Sequence, residues 1–253
     1  MIAALLLAAA AASEAPICAD RPTKANGTCT VPAGHVQVET GLIDWVHDRS
    51  AGERTDVTLW GGTFVKYGIG ENSDLELGLT PFETVRVRGA DHQTSSGVGD
   101  TVVRWKQRLT AADAPVQAAL IPFAKLPTAS HNLGNGKVEG GVAVPLNTPV
   151  AKAVTLTIGP ELDLRADGDG HGYHAAMVQL VNLGWQATSK LALGAELWSQ
   201  WDWAPDGTTR QVSADAAAAY LVSDRLQLDA GANFGLNRRT PDLEIYAGIA
   251  TRF

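Results

Sequence analysis

The sequence predicts an all-β protein: an antiparallel up-and-down transmembrane β-barrel of about 12 strands, with the C-terminal strand closing on the N-terminal strand. Polar and apolar residues alternate along most segments after residue 30, which is the period of a strand with two different faces. Tight turns and longer loops alternate along the chain, as in barrels with short periplasmic turns and longer extracellular loops. The last segment, residues 242–253, also alternates and finishes on Phe253.

Composition limits which classes of protein and partner the chain can represent. The chain has 253 residues, 19% of them charged, and a mean hydropathy of −0.03. These values exclude a helical membrane bundle but fit a transmembrane barrel, because only every second residue of its strands faces lipid. The net charge of −7 argues against nucleic acid as a partner.

The N-terminus predicts export. Residues 2–12 form an unbroken apolar run that is too short to span a membrane as a helix. The run resembles the hydrophobic region of a signal peptide, although the first basic residue is Arg21. We expect a signal peptide over residues 1–12, with cleavage after residue 15 and a buried N-terminal helix as alternatives.

Residues 13–33 are expected to form a periplasmic N-terminal segment. Cys18 and Cys29 lie in it, and an exported chain meets an oxidising compartment, so the pair predicts a disulfide. A lipoprotein cysteine is the alternative, but Ile17 stands where a small residue is wanted. Two cysteines without a nearby histidine make a weak metal site, and we expect no metal.

Residues 34–253 are expected to form the barrel. Alternation predicts strands over residues 34–46, 54–69, 75–79, 98–109, 116–127, 138–146, 154–165, 172–187, 191–203, 209–222, 225–236 and 242–253. Turn residues predict tight turns near residues 72, 112, 148, 189 and 223, and loops near residues 91, 131, 168, 206 and 239. Residues 87–97 are polar and predicted as a loop, and Asn147-Thr148-Pro149 as a turn.

The alternation in the last predicted strand, residues 242–253, predicts which strands it pairs with and which of its faces meets lipid. We expect it to pair with the strands near residues 225–236 and 34–46. The apolar row from Leu243 to Phe253 is expected to face lipid, and Glu244, Tyr246 and Arg252 to face the lumen.

The polar faces of the strands predict a charged lumen. The candidate lumen-lining residues are Glu39, Glu76, Asp100, Arg104, Lys106, Arg108, Glu139, Glu161, Asp163, Arg165, Glu196, Asp229 and Glu244. Arg104, Lys106 and Arg108 form a basic ladder on one strand. The ladder is either a guide for an anionic or phenolic solute or a structural partner for the acidic strands.

The sequence gives little support for catalysis. Ser130-His131 lies in a predicted loop without a patterned acid, and His171 and His174 flank another loop. Some outer-membrane barrels hydrolyse acyl chains with a serine–histidine pair, but no motif here places a nucleophile beside a base. We expect no catalytic residues and no cofactor.

Several segments together resemble the outer-membrane transporter family of the MetA pathway of phenol degradation. They are Cys18–Pro22, Thr30–Glu39, Gly97–Thr101 running into Arg104-Trp105-Lys106, Pro122–Pro127, Gly140–Pro145 and Tyr246–Phe253. The resemblance implies passage of small compounds, such as aromatic ones, across the outer membrane, and it brings no catalytic residues. Outer-membrane barrels of this kind commonly end on an aromatic residue read by the barrel-assembly machinery, so Phe253 is the expected assembly signal.

We therefore expect a monomeric channel or transporter for small, aromatic or hydrophobic solutes in the outer membrane of a Gram-negative bacterium. Its expected partners are outer-membrane lipid, a small-molecule solute and the assembly machinery. The alternatives are an outer-membrane barrel enzyme acting on lipids and a sealed structural barrel.

Overall fold

The computed structural model describes residues 17–50 and 52–253. The predicted signal peptide, with either cleavage site, lies outside the described residues.

The described residues form twelve antiparallel strands, five of which are made of two segments. The strands are β1 (Val36–Ser50), β2 (Glu53–Trp60 and Gly62–Gly70), β3 (Ser73–Leu79 and Phe82–Arg88), β4 (His92–Gly97 and Thr101–Arg108), β5 (Gln117–Leu126), β6 (Glu139–Ala143 and Leu146–Ala151), β7 (Val154–Ile158 and Glu161–Ala166), β8 (Tyr173–Gln186), β9 (Leu191–Ala204), β10 (Gly207–Ser223), β11 (Leu226–Gly235) and β12 (Leu243–Arg252). Each strand pairs with the next along the chain, which is the predicted up-and-down order.

The first and last strands close the ring. On one edge of β12, Ile249 lies opposite Leu228 of β11, and on the other edge it lies opposite Thr40 of β1. Beyond the strand, Phe253 N donates to Val36 O at 2.8 Å. The predicted closed barrel and both predicted neighbours of β12 are confirmed.

The number of strands is even, so both described chain ends lie at one end of the barrel, which we call the periplasmic end. The connections do not sort by length as cleanly as predicted. At the periplasmic end, residues 109–116 form a long connection, whereas residues 205–206 at the opposite, extracellular end form a tight turn. The longest connection, residues 127–138, does lie at the extracellular end.

The barrel buries polar residues and exposes apolar ones. Along β12, Tyr246 and Arg252 are buried inside, whereas Ile245 and the ring of Phe253 are exposed. Leu75, Leu77 and Leu79 are likewise exposed, whereas Asp74 and Glu76, which alternate with them, are buried. Such an inverted distribution requires an apolar solvent around the wall, so the outer face is built for a bilayer. Within the described ranges, no helix has the length and apolar character needed to cross a membrane.

Exposed aromatic residues form two belts. Tyr67, Trp105, Trp185 and Tyr220 lie towards the periplasmic end, and Trp60, Phe82, Trp201 and Trp203 towards the extracellular end. Tryptophan and tyrosine favour the two interfaces of a membrane because their rings have an apolar body and a polar group.

Two local predictions were wrong. The predicted loop over residues 87–97 contains the end of β3 and the first segment of β4. That part of the wall lies beyond the hydrocarbon core of the membrane, where neither face needs to be apolar. The predicted turn at Asn147-Thr148-Pro149 lies within β6, because Thr148 and Pro149 pair with Leu156 and Thr155 of β7. The chain turns instead at residues 152–153.

The outer face can be tested with one substitution. Leu197 lies midway along β9 and is 59% exposed, so Leu197→Arg would place a charge near the bilayer midplane. We expect a loss of about 2–4 kcal/mol in the free energy of unfolding, measured by urea titration in liposomes. Leu236→Arg is the matched control, since Leu236 is 57% exposed but lies just beyond β11 at the extracellular end. Its expected cost is about 0–1 kcal/mol, and equal costs would contradict a lipid-facing wall at Leu197.

Candidate functional site

Residues 17–33, which we call the plug segment, lie inside the barrel. Asp20 contacts Lys66 of β2 and Lys106 of β4, and Arg21 pairs with Asp229 of β11. These partners come from well-separated positions around the ring, and their side chains are all buried on the inner face. Only a segment within the lumen can reach them together. The structure therefore differs from the predicted periplasmic location of this segment.

The plug segment has its own internal constraints. Cys18 and Cys29 are joined by a disulfide. Gly27 N donates to Asp20 Oδ1 at 2.8 Å, which fixes the loop between the two cysteines. At its start, Ile17 N donates to Asp224 O at 2.7 Å, in the β10–β11 turn. The segment thus enters the lumen from the periplasmic end.

Asp20 is the centre of the ionic contacts between the plug segment and the wall. Lys106 Nζ lies 2.7 Å from Asp20 Oδ1 and 2.6 Å from Oδ2, and Lys66 Nζ contacts the same carboxylate. Burial raises the pKa of the Asp20 carboxyl, but the Lys106 and Lys66 ammonium groups outweigh burial and hold the pKa below its usual value. Lys66 Nζ also lies 2.6 Å from Glu39 Oε1, so the contacts continue onto β1.

Two further cations of the plug segment meet acids of the wall. Arg21 Nη2 lies 2.9 Å from Asp229 Oδ1. Lys24 Nζ lies 2.9 Å from Asp215 Oδ2 on β10. Such charge-assisted contacts are stronger than neutral hydrogen bonds, and breaking one would leave a buried carboxylate without its partner.

Backbone amides of the plug segment also bind wall carboxylates. Lys24 N and Ala25 N donate to the two oxygens of Glu196 at 3.2 and 3.1 Å. Val31 N donates to Asp74 Oδ2 at 2.8 Å. The irregular backbone of the segment is therefore satisfied by the barrel wall, as buried backbone must be.

Glycines on the inner face make room for Arg21. A Cβ on Gly248 of β12 would collide with the Arg21 guanidinium, and a Cβ on Gly41 of β1 would lie 3.3 Å from Arg21 Nη1. The two glycines are directly paired across the closing seam. The seam thus leaves a space that the side chain of Arg21 fills.

A cavity of about 570 Å³ lies on the extracellular side of the plug segment. Its floor includes Arg21 and Lys24. Its walls combine aromatic groups, such as Phe64 and Trp198, with charged groups, such as Arg104 and Glu161. The cavity can accommodate a small molecule that has both an apolar surface and polar groups.

Cations lie against aromatic rings around this cavity. The Arg104 guanidinium carbon lies 4.3 Å from the centre of the Phe64 ring, and Lys24 Nζ lies 4.9 Å from the Trp198 ring. Both distances are within the range of favourable cation–π contacts. Arg104 also lies 3.9 Å from Glu76, so its charge is only loosely paired.

Nine of the thirteen candidate lumen-lining residues fall into two regions. Glu39, Glu76, Lys106, Glu196 and Asp229 are buried in the periplasmic half, around the plug segment. Asp100, Arg104, Glu161 and Arg165 line the cavity. Whether these residues line a transport path stays a prediction.

The remaining candidates have local partners. Asp163 lies 3.1 Å from Arg165, Glu139 lies 3.0 Å from Lys125, and Glu244 accepts from Asn233 at 2.6 Å. Arg108 Nε donates to Asn72 at 3.2 Å in the β2–β3 turn.

The basic ladder therefore does not act as one unit. Arg108 lies at the turn, Lys106 is occupied by Asp20, and Arg104 faces the cavity. Lys106 pairs with the acids Asp20 and Glu76, and Arg104 is the member of the ladder that lines the cavity. A role of the ladder in guiding a solute stays a prediction.

Sequence reasoning missed the plug residues Asp20, Arg21 and Lys24. One signal could have found them. The predicted inner face has nine carboxylates against four basic residues. Because buried like charges are costly, such an excess predicts that cations come from elsewhere in the chain. The charged residues between the two cysteines are the nearest candidates along the sequence.

The weak catalytic candidates are not brought together. Ser130 Oγ accepts a hydrogen bond from Val98 N at 3.0 Å, and the neighbouring His131 is exposed. His174 lies between two carboxylates, 2.7 Å from Asp167 and 2.8 Å from Asp202. His171 is exposed in the adjacent loop. Among the described residues, no group of three or more His, Cys, Asp or Glu side chains is arranged to hold a metal ion.

Comparison with known proteins supports the fold and the family. The model of the family described as "Putative MetA-pathway of phenol degradation" matches residues 19–253. The structure is similar to the COG4313 outer membrane channel from Pseudomonas putida F1, with a TM-score of 0.72 and 13% identity over 92% of this chain and 100% of that one.

Two further solved structures share the architecture. The β domain of the Bordetella autotransporter BrkA gives a TM-score of 0.56 with 12% identity, covering 87% of this chain and 100% of that chain. The NanC porin gives a TM-score of 0.55 with 9% identity, covering 85% of this chain and 98% of that chain. Curated protein sequences gave no significant match.

The closed wall, its apolar outer face and its two aromatic belts are those of a barrel of the Gram-negative outer membrane. The family match covers nearly the whole described chain, as the sequence motifs predicted. The chain belongs to the family of the MetA pathway of phenol degradation and is an outer-membrane β-barrel.

Proposed function

We propose that the protein is an outer-membrane channel for small aromatic or hydrophobic solutes. The observation that carries the proposal is the cavity of about 570 Å³ within the closed barrel, on the extracellular side of the plug segment. A solute would enter this cavity from outside and pass to the periplasm when the plug segment moves.

The cavity suits a ring that bears a polar or anionic group. Its volume falls within the range of about 300–1,000 Å³ found for small-molecule sites. Phe64 and Trp198 offer ring faces, and Arg104 and Lys24 offer positive charge beside them. The description of the family, which refers to phenol degradation, is consistent with such a solute.

Passage requires the plug segment to shift, because its hydrogen bonds and ion pairs with eight strands occupy the periplasmic half of the lumen. These contacts are ionic and hydrogen-bonded, so water entering the lumen can replace them one by one. Water could not replace the contacts of an apolar plug segment in this way. A sealed structural barrel is the second candidate function. The same ionic network favours it if the plug segment stays in the lumen at all times.

Loosening the plug segment tests this proposal. We expect Arg21→Gln combined with Lys24→Gln to raise the single-channel conductance in planar bilayers several-fold, because the variant removes the ion pairs to Asp229 and Asp215. Lys152→Gln is the matched control, since Lys152 is exposed in the β6–β7 turn at the periplasmic end. A double variant that folds, shown by heat-modifiable gel mobility, but conducts no better than the control would favour the sealed barrel.

The solute preference can be tested at Arg104. We expect Arg104→Gln to reduce benzoate uptake into proteoliposomes several-fold, because the variant removes the cation beside the Phe64 ring. Arg108→Gln, on the same strand but held at the turn by Asn72, is expected to leave uptake unchanged. Equal uptake by the two variants would remove Arg104 from the solute path.

A lipid-modifying barrel enzyme was the other alternative, and the observed contacts favour a protein without catalytic residues. His174 is engaged by Asp167 and Asp202 rather than by a hydroxyl nucleophile. We expect no esterase activity towards p-nitrophenyl esters above an empty-liposome control. Activity that disappears in His131→Ala or His174→Ala would contradict this expectation.

The oligomeric state and assembly route complete the proposal. We propose a monomer whose exposed C-terminal Phe253 is read by the barrel-assembly machinery. Phe253 is 68% exposed and its backbone pairs with Val36, so the residue lies exposed beside the β1–β12 pairing that closes the barrel.

A further inference from the structure

The outer face of the barrel carries a row of basic residues at its extracellular end. Arg49 of β1 lies directly opposite Arg54 of β2, which lies opposite Arg88 of β3, which lies opposite His92 of β4. Directly paired residues project from the same face of a sheet. Three arginines and a histidine therefore stand side by side across four neighbouring strands; we call them the basic row.

The next row towards the membrane adds a fourth arginine. It consists of His47, Asp56, Arg86 and Thr94, again directly paired across the four strands. Asp56 is the only carboxylate in the two rows. The four arginines thus outnumber the acid on this part of the wall.

The alternation of the strands places both rows on the lipid side of the wall. Trp60 and Phe82 are directly paired, exposed and part of the extracellular aromatic belt. Asp56 and Arg54 precede Trp60 by four and six residues in β2, which are even numbers, and therefore project from the same face. Arg54 and Arg88 lie six residues from Trp60 and Phe82 along their strands. At a rise of ~3.3 Å per residue and a tilt of ~40°, the basic row therefore stands about 15 Å above the aromatic belt, at the level of the sugar heads of the outer leaflet.

The arginines are incompletely neutralised by the protein. Asp56 is shared by His47 at 2.8 Å, Arg54 at 2.9 Å and Arg88 at 3.7 Å. Arg49 Nε donates to His47 rather than to a carboxylate. Among the described residues, the structure gives Arg86 no ion pair. Like charges directly opposite one another destabilise a sheet, so an external anion would relieve the repulsion in this row.

We propose that the basic row binds the phosphorylated sugar head of lipopolysaccharide in the outer leaflet. A guanidinium group can hold a phosphate through two parallel hydrogen bonds, and several arginines in one row match a head with more than one phosphate. The acyl chains of the same molecule would lie along the belt at Trp60 and Phe82 and reach the exposed Leu79 near the middle of β3. This lipid would bind the outer face of the barrel, and its binding does not depend on which solute passes through the lumen.

The matched control lies elsewhere on the same belt. Arg210 of β10 is an outward-facing arginine stacked on Trp201, with its guanidinium carbon 4.5 Å from the ring centre. It pairs with Trp201 of β9 rather than with another arginine. Arg210→Gln removes an outward-facing charge at the extracellular belt itself without touching the basic row.

The test compares lipid binding by the purified barrel in native mass spectrometry. The probes are bisphosphorylated lipid A, dephosphorylated lipid A and phosphatidylglycerol. We expect the wild-type barrel to bind bisphosphorylated lipid A at least about tenfold more tightly than the other two. Arg54→Gln combined with Arg88→Gln should lose at least about tenfold of that affinity, and Arg210→Gln should change it less than twofold.

Heat-modifiable gel mobility establishes that each variant is folded. If Arg54→Gln/Arg88→Gln does not fold, Arg86→Gln, which breaks no ion pair of the described protein, takes its place with an expected loss of several-fold. Unchanged lipid A binding in a folded variant would overturn the proposal. So would equal binding of phosphatidylglycerol, which would show a general acidic-lipid surface. Full displacement of lipid A by millimolar inorganic phosphate would show that the basic row is a simple anion site, and it would also overturn the proposal.

Discussion

The wall of this barrel crosses a medium that offers no hydrogen-bond partner, so every strand must pair on both edges. A sheet can meet that requirement only by closing on itself, and here the closure joins β1 to β12. Closure also fixes which side of each strand faces lipid, because the side-chain period is two and a slip of one residue would reverse both faces. The leucines outside and the carboxylates inside follow from this single constraint.

The charged interior creates a second requirement. Carboxylates such as Glu196, Asp215 and Asp229 are buried and need positive or hydrogen-bonding partners. The plug segment supplies them with Arg21, Lys24 and its own backbone amides. Asp20 has the reverse role, since it compensates the two buried lysines of β2 and β4.

The ends of the barrel obey different rules from its middle. Beyond the hydrocarbon core of the membrane, an outer face can be polar. The first segments of β2 and β4 accordingly contain arginine, threonine and serine. Their pairing continues although the apolar alternation has ended. This is why a sequence pattern based on lipid-facing residues predicted a loop over residues 87–97. It is also why the basic row can stand on the outside of a membrane protein.

Local pattern was sufficient for the wall. The alternation in residues 242–253 identified a strand with one lipid face, and the same period located most other strands, because lipid on one side imposes it residue by residue. The family resemblance rested on segments spread over the chain, so it too could be found without coordinates. The inward positions of Glu39, Glu76 and Asp229 followed from the same alternation.

The tertiary structure alone decided how the lumen is filled. The ion-pair partners of Asp20 and Arg21 are 46 to 208 residues away in sequence, so no local pattern relates them. The role of Gly41 and Gly248 is visible only in the closed barrel, where β1 pairs with β12 and Arg21 fills the space beside the two glycines. The basic row likewise appears only when the registers of four strands are known, because its members are scattered between residues 49 and 92. The sequence by itself determined a wall with two faces, and the three-dimensional closure of that wall determined which charges meet across it.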